Sequence, residues 1–248
     1  MSMIEALDTG ETTICAEAYL MMKSITFPLI LVNLKAYSEA IGEGGEKLAR
    51  LAAQVMSDTG VCIGLAPQFT EIRNLSRLGI PIFSQHIDPI QPGAYTGHVL
   101  PEAVASAGAV GTILNHSERR LKKSEIELSV KRAKAANLVS IVCSDSTRAG
   151  VEAASVGPEI VAIEPPELIG TGLAVSKAKP EIVSRSVEAI KRVNPNISVL
   201  CGAGITSGSD VLASIRLGSS GVLVASGVVK AQDWKKVLLE MAQAAKGA

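Results

Sequence analysis

Eight short apolar runs, each followed by a helix-like segment or by a loop and a helix, predict an α/β chain folded as a single-domain (β/α)8 barrel. The runs are Leu29–Val32, Val61–Ala66, Ile82–Gln85, Gly111–Leu114, Val139–Cys143, Ile160–Ile163, Ser198–Cys201 and Gly221–Val224. Their apolar character is continuous rather than alternating, as a parallel sheet covered on both faces requires. Composition agrees. Of 248 residues 47% are hydrophobic but only 3% aromatic, so the core is built from Val, Ile, Leu and Ala, the residues that fill a barrel interior. An open doubly wound sheet fits less well, because no G-x-G-x-x-G opens the first helix and no acidic residue ends the second run.

Each element carries its own signal. After the first run, Leu48, Leu51, Ala52, Val55 and Met56 follow the i, i+3, i+4, i+7 stripe of an amphipathic helix. The third run leads into a Pro- and Gly-bounded loop containing Gly93–Gly97, GAYTG. The fourth leads into Asn115–Arg120, NHSERR, whose Ser117–Arg120 reads as a helical turn beginning beside His116. The sixth run ends at Glu164, followed by Pro165, Pro166 and a Gly-rich turn. After the seventh, Ser207-Gly208-Ser209-Asp210 has the spacing of a capping box, and Gly218 stands where that helix would end. Trp234, Val237, Leu238, Met241 and Ala242 form the final apolar stripe, which assigns the lone Trp to packing.

No linker-like composition follows Ser24, so residues 25–248 form one domain and residues 1–24 an N-terminal extension, whose acidic residues and lack of a clean apolar core are unlike a signal peptide. The formal net charge is +0 and Lys and Arg are dispersed, which argues against nucleic acid and acidic membrane surfaces as partners. No apolar run approaches the ~20 residues of a membrane span. Cys15, Cys62, Cys143 and Cys201 are far apart and lack zinc-type spacing. Core packing and a reduced, cytoplasmic setting follow. Dispersed histidines, with no carboxylate pair at ligand spacing, give no support for a metal site.

Chemistry-bearing residues fall at the ends of the runs. Asn33 and Lys35 follow the first, His116 the fourth, Glu164 the sixth, and Ala225-Ser226 the eighth. In a barrel these ends converge on the rim where active sites are built. Glu164, restricted to an extended conformation by Pro165, is the candidate base. His116, kept neutral beside a helix start, is the candidate electrophile. Lys35 supplies positive charge, oriented with Asn33. Small residues at Ile169-Gly170, Gly202-Ala203-Gly204 and Ala225-Ser226 would let backbone N–H groups close on an anion.

From about Pro28 to about Ala245 the chain resembles the triosephosphate isomerase family. Asn33-Leu34-Lys35 matches the family's N-x-K, NHSERR matches closely, Glu164 matches the proton acceptor, and Ile169–Gly172, IGTG, matches the end of the lid. The resemblance implies interconversion of dihydroxyacetone phosphate and glyceraldehyde 3-phosphate through an enediolate, without cofactor, in glycolysis and gluconeogenesis. Glu164 would be the base, His116 the electrophile and Lys35 the counter-charge. An imidazole held neutral by a helix start is itself a known property of triosephosphate isomerase, so for His116 it belongs to the resemblance and adds no separate support. Asn33, Ile169, Gly170, Gly204, Ala225 and Ser226 would hold substrate, under a lid over Pro165 to Lys177. GAYTG looks like the loop by which subunits interdigitate, so Tyr95 and Thr96 would serve a homodimer, or a homotetramer as in the compact archaeal branch. The chain departs from the common pattern at Pro165-Pro166-Glu167, at Cys201–Ile205, CGAGI, and after the eighth run, VASGVV. A Schiff-base aldolase would require a desolvated lysine where Glu164 stands. A catalytically silent scaffold barrel is the alternative of another class.

Overall fold

The computed structural model describes residues 25–165, 174, 176 and 179–248. The extension 1–24 and most of the expected lid, with Ile169 and Gly170, lie outside the described residues.

Eight parallel strands form one sheet: β1 Leu29–Asn33, β2 Cys62–Ala66, β3 Phe83–Ser84, β4 Gly111–Leu114, β5 Val139–Ser144, β6 Ile160–Ile163, β7 Ser198–Cys201 and β8 Gly221–Val224. Their order is β2-β1-β8-β7-β6-β5-β4-β3, and a parallel bridge between Leu65 and Ile82 joins the two ends into a ring. The third run is therefore shorter than predicted. Ile82 contributes only that bridge, and Gln85 lies beyond the strand. Around the ring run α1 Glu43–Thr59, α2 Ile72–Leu75, α3 Pro101–Ser106, α4 Lys123–Ala135, α5 Thr147–Ala154, α6 Pro180–Val193, α7 Gly208–Arg216, α8 Ser226–Val229 and α9 Trp234–Lys246. None of the described helices is long and apolar enough to cross a membrane.

Two apolar layers explain the continuous runs. Leu29, Leu31, Ile113, Ile141, Ala162 and Leu200 point into the barrel and pack around Phe83. Their neighbours Ile30, Val32, Leu114, Val142, Val161 and Val199 face the helices. Successive strand residues point to opposite faces, and here both faces are dry. Phe83 fits because the adjoining strands carry glycines. A Cβ on Gly64 would come within 2.8 Å of its ring, and one on Gly111 within 2.7 Å. Each such contact is far inside van der Waals distance.

The predicted stripes face the core. Leu48, Ala52 and Val55 of α1 and Leu238, Met241 and Ala242 of α9 are buried. Trp234 packs against the core with its indole N–H donated to the Val229 carbonyl at 3.1 Å. The capping box at Ser207 and Asp210 forms. Gly218 takes a left-handed φ of 94° just past α7.

Candidate active site

β1 ends at Asn33, whose side-chain Oδ1 accepts the Lys35 amide at 2.9 Å. That contact turns the chain sharply, leaving Lys35 at φ 48°, a conformation that non-glycine residues rarely adopt. Two glutamines hold it there. The amides of Gln68 and Gln85 both donate to the Lys35 carbonyl, at 2.6 and 2.8 Å, and Gln85 also bonds the Ala66 carbonyl at the end of β2. A strained backbone persists only when its surroundings over-determine it, as here. The result aims the Lys35 ammonium across the rim, where it pairs with Glu118 at 2.7 Å.

His116 follows β4 by two residues. Asn115, itself left-handed at φ 57°, braces the turn, since its amide donates to the Cys143 carbonyl and its oxygen accepts the Leu121 N–H, both at 2.9 Å. Ser117–Arg120 is not the start of a helix, contrary to the sequence expectation. It is a single turn, closed by Arg119 N–H to the His116 carbonyl at 2.8 Å, and α4 begins only at Lys123. Among the described residues no helix starts beside His116. Burial first and the Lys35 charge second lower the imidazole pKa to about 4, which keeps the ring neutral. The Glu118 N–H donates to Nδ1 at 3.2 Å, which leaves the ring proton on Nε2.

Glu164 extends the ladder of β6 by one bond, its amide donating to the Ser144 carbonyl at 2.7 Å before Pro165 ends the pairing. Its carboxyl is buried, and Oε1 lies 3.7 Å from His116 Nε2. Oε2 is buried with no hydrogen-bond partner among the described residues. Burial raises the pKa to about 7, opposed by the Cys143 thiol and by the charges of Lys35 and Arg120. Burial thus pushes the acid up and the imidazole down, the separation an acid–base pair near neutrality requires.

Asn33, Lys35, His116 and Glu164 line one cleft, whose opposite wall is Gly204, Ile205, Thr206, Ala225 and Ser226. A Cβ on Gly227 would meet the Ile205 carbonyl oxygen at 2.4 Å, so the loops after β7 and β8 are in direct contact there. Of the predicted site residues, the structure brings together Asn33, Lys35, His116, Glu164, Gly204, Ala225 and Ser226. Ile169 and Gly170 lie outside the described residues. Tyr95 and Thr96 sit on an exposed loop, apart from this cleft.

Residues 28–245 match the family model described as triosephosphate isomerase. The chain belongs to the triosephosphate isomerase family. Archaeal triosephosphate isomerases are among its relatives. The enzyme of Methanothermus fervidus is 49% identical over 215 residues, covering 86% of this chain and 97% of the relative. That of Methanocaldococcus jannaschii is 45% identical over 214 residues, covering 86% and 98%. A crystal structure of triosephosphate isomerase from Bartonella henselae superimposes with a TM-score of 0.72 at 18% identity, covering 88% of this chain and 99% of that one, and shows the shared TIM barrel.

Within this family member, further contributors escaped sequence reasoning. Glu118 sits inside NHSERR, but reading that segment as helix hid its pairing with Lys35. Gln85 and Gln68 follow β3 and β2, and the same strand-end rule that selected His116 would have selected them. Cys143, assigned to core packing, is buried beside the Glu164 carboxylate, and burial first and that carboxylate second drive its thiol pKa well up. Gly202, grouped with the anion loop, abuts Glu164 instead. A Cβ there would lie 2.7 Å from Glu164 Cγ and 3.1 Å from Oε1.

Proposed function

We infer that this chain interconverts dihydroxyacetone phosphate and D-glyceraldehyde 3-phosphate, the triose-phosphate isomerase reaction of glycolysis and gluconeogenesis. The observation that carries the reading is the facing of Glu164 Oε1 and His116 Nε2 across 3.7 Å, with Lys35 on the same rim.

Glu164, as carboxylate, removes a proton from the carbon beside the carbonyl. The electron pair moves toward the carbonyl oxygen, giving an enediolate. Neutral His116 donates from Nε2 to the oxygens as charge develops, and relays a proton between them. Glu164 returns its proton to the neighbouring carbon, completing the exchange of ketone for aldehyde. Lys35 leaves Glu118 for the substrate anion and offsets the enediolate charge. Asn33 holds Lys35 in place. The phosphate is received by backbone N–H groups around Gly204, Ala225 and Ser226, with Ile169 and Gly170 contributing as their family match implies. No cofactor or metal takes part.

The enzyme works as a homodimer, with pairing of dimers into a homotetramer as a further level, in the cytoplasm. Two features support the dimer. The loop carrying Tyr95 and Thr96 is exposed at its tip yet clasped at its base, where the Asp88 amide donates to the Val99 carbonyl at 2.9 Å and the Asp88 carboxylate accepts the Val99 amide at 2.6 Å. A cavity lined by Asn33, Lys35, Gln85, His86 and Glu118 opens behind the catalytic lysine, ready for a neighbour's loop tip.

A dehydrogenase-coupled assay of each triose phosphate tests the activity directly. Turnover in both directions, without added metal, is expected. Purified protein that isomerises neither substrate would overturn the reading.

A further inference from the structure

Beneath the anion side of the cleft lies a carboxylate that the reaction does not use. Asp210, in the first turn of α7, is 3% exposed. Its Oδ2 alone accepts four hydrogen bonds: from the Thr206 amide at 2.9 Å and hydroxyl at 3.0 Å, and from the Ser207 amide at 3.0 Å and hydroxyl at 2.9 Å. A capping box accounts for the bond from the Ser207 amide, and the hydroxyl of the same residue adds a second. The Thr206 pair is additional, and Thr206 lines the cleft. The backbone carbonyl of Asp210 receives two hydroxyls more, Ser214 at 2.8 Å and Ser176 at 3.3 Å.

The loop from Gly202 to Ser207 is therefore pinned at both ends. Gly202 is tied to β6 by its amide, which donates to the Ile163 carbonyl at 2.9 Å. Ala203 and Ile205 are buried pegs between the ends. What remains is Gly204, left-handed at φ 71°. The Gly204 and Ile205 amides make no backbone hydrogen bond among the described residues. Release of the Thr206 end would let these amides turn away, while Gly202 and the Glu164 side chain it supports keep their strand anchor.

We propose that Asp210 is a positioning residue for phosphate recognition, holding Gly204 to Thr206 in the conformation that receives the substrate's phosphate. This rests on the isomerase reading above. It is not a field effect, because a negative charge below an anion site would weaken binding, and its removal would tighten it.

The test compares glyceraldehyde 3-phosphate with D-glyceraldehyde, the same triose without its phosphate, and measures inhibition by inorganic phosphate. Asp210→Ala is expected to lower kcat/KM for the phosphorylated substrate by about tenfold or more. D-Glyceraldehyde turnover should stay within about twofold, and the inhibition constant of phosphate should rise. Asp210→Asn, which keeps one acceptor oxygen, should recover part of the loss. Asp233→Ala removes the N-cap of α9, whose carboxylate accepts the Lys236 amide at 3.0 Å, and controls for a lost cap remote from the cleft. Parallel loss on both substrates, or unchanged or tighter phosphate binding, would overturn the proposal. If Asp210→Ala does not fold, Asp210→Asn carries the same prediction at smaller size. Wild-type protein inactive on both trioses would defeat the isomerase reading, and calorimetric binding of inorganic phosphate to wild type and Asp210→Ala would then decide the role of Asp210.

Discussion

His116 Nε2 and Glu164 Oε1 face each other at 3.7 Å, too far for a hydrogen bond and close enough to address two adjacent atoms of one small substrate. Both groups are buried, and burial alone moves them in opposite directions. The carboxyl rises to about 7 and the imidazole falls to about 4. At neutral pH the site therefore holds a usable base beside an uncharged ring that can donate.

Ionising Glu164 costs native stability. Its folded pKa lies above its unfolded value of 4.5, so the native state loses relative stability as pH rises from 4.5 through about 7. Glu164→Gln escapes that cost. The variant should be more stable than wild type at pH 8, by up to about 3 kcal/mol, with the difference vanishing near pH 4.5. Its turnover should fall by roughly 10²–10⁴-fold. Thermal melts at both pH values, with steady-state rates, check the pair of outcomes. Equal stability at pH 8 would mean that the carboxylate is solvated after all.

The same pKa sets the activity profile. Read with D-glyceraldehyde, which has no phosphate to titrate, kcat/KM should fall about tenfold per unit as pH drops below about 7 and level off above it. A profile flat down to pH 5 would remove Glu164 from the role of base.

His116 titrates in the other direction. Its folded pKa is depressed below 6.5, so the stability it contributes is present above pH 6.5 and is lost as pH falls toward 4. Ring NMR should show a neutral His116 at pH 6, with the proton on Nε2. A protonated ring near neutrality contradicts its assignment as electrophile. His116→Gln should slow isomerisation while leaving inhibition by inorganic phosphate nearly unchanged, because the ring acts on developing charge.

Gly202 leaves room for the base. Gly202→Ala would place a methyl 2.7 Å from Glu164 Cγ, so the Glu164 side chain or the strand-anchored loop would have to shift. The expected result is a destabilisation of about 1–3 kcal/mol, typical of overpacking. A fall in kcat larger than the rise in KM should accompany it, measured on the same preparation. Wild-type kcat in a well-folded variant would show that the base has room to move.

The barrel was legible because its physics is local. A strand buried on both faces has to be apolar throughout, and β4, β6, β7 and β8 match their apolar runs to the residue. The candidate site residues were legible for a topological reason: strand ends converge, so Asn33, His116 and Glu164 line one cleft although far apart in sequence. What escaped was three-dimensional. Ser117–Arg120 has helical composition, but the Asn115 bonds to Cys143 and Leu121 hold it as a single turn. Nothing in the local sequence of Gly202 or Cys143 indicates that each lies against Glu164. Their proximity comes from the β5–β6 and β6–β7 registers, which pair Cys143 with Ala162 and Ile163 with Cys201.

Assembly gives the last prediction. Tyr95 is a large apolar side chain left 46% exposed on a loop whose base is firmly clasped. The Tyr95 ring meets His98 edge-on at 5.9 Å, a contact made within the protomer. A two-fold pairing lets each protomer donate this tip and receive its neighbour's behind Lys35. Tyr95→Glu or Thr96→Glu would then bury an unpaired charge at each of two symmetric contacts. Both variants should dissociate to monomers at micromolar concentration by light scattering and lose activity in step, and their melting temperatures should no longer depend on protein concentration as the wild-type dimer's does. Since Lys35 and Asn33 border the receiving cavity, the loss should include kcat and not only stability. A wild-type monomer with full activity would defeat the dimer, and the cavity behind Lys35 would then need another occupant.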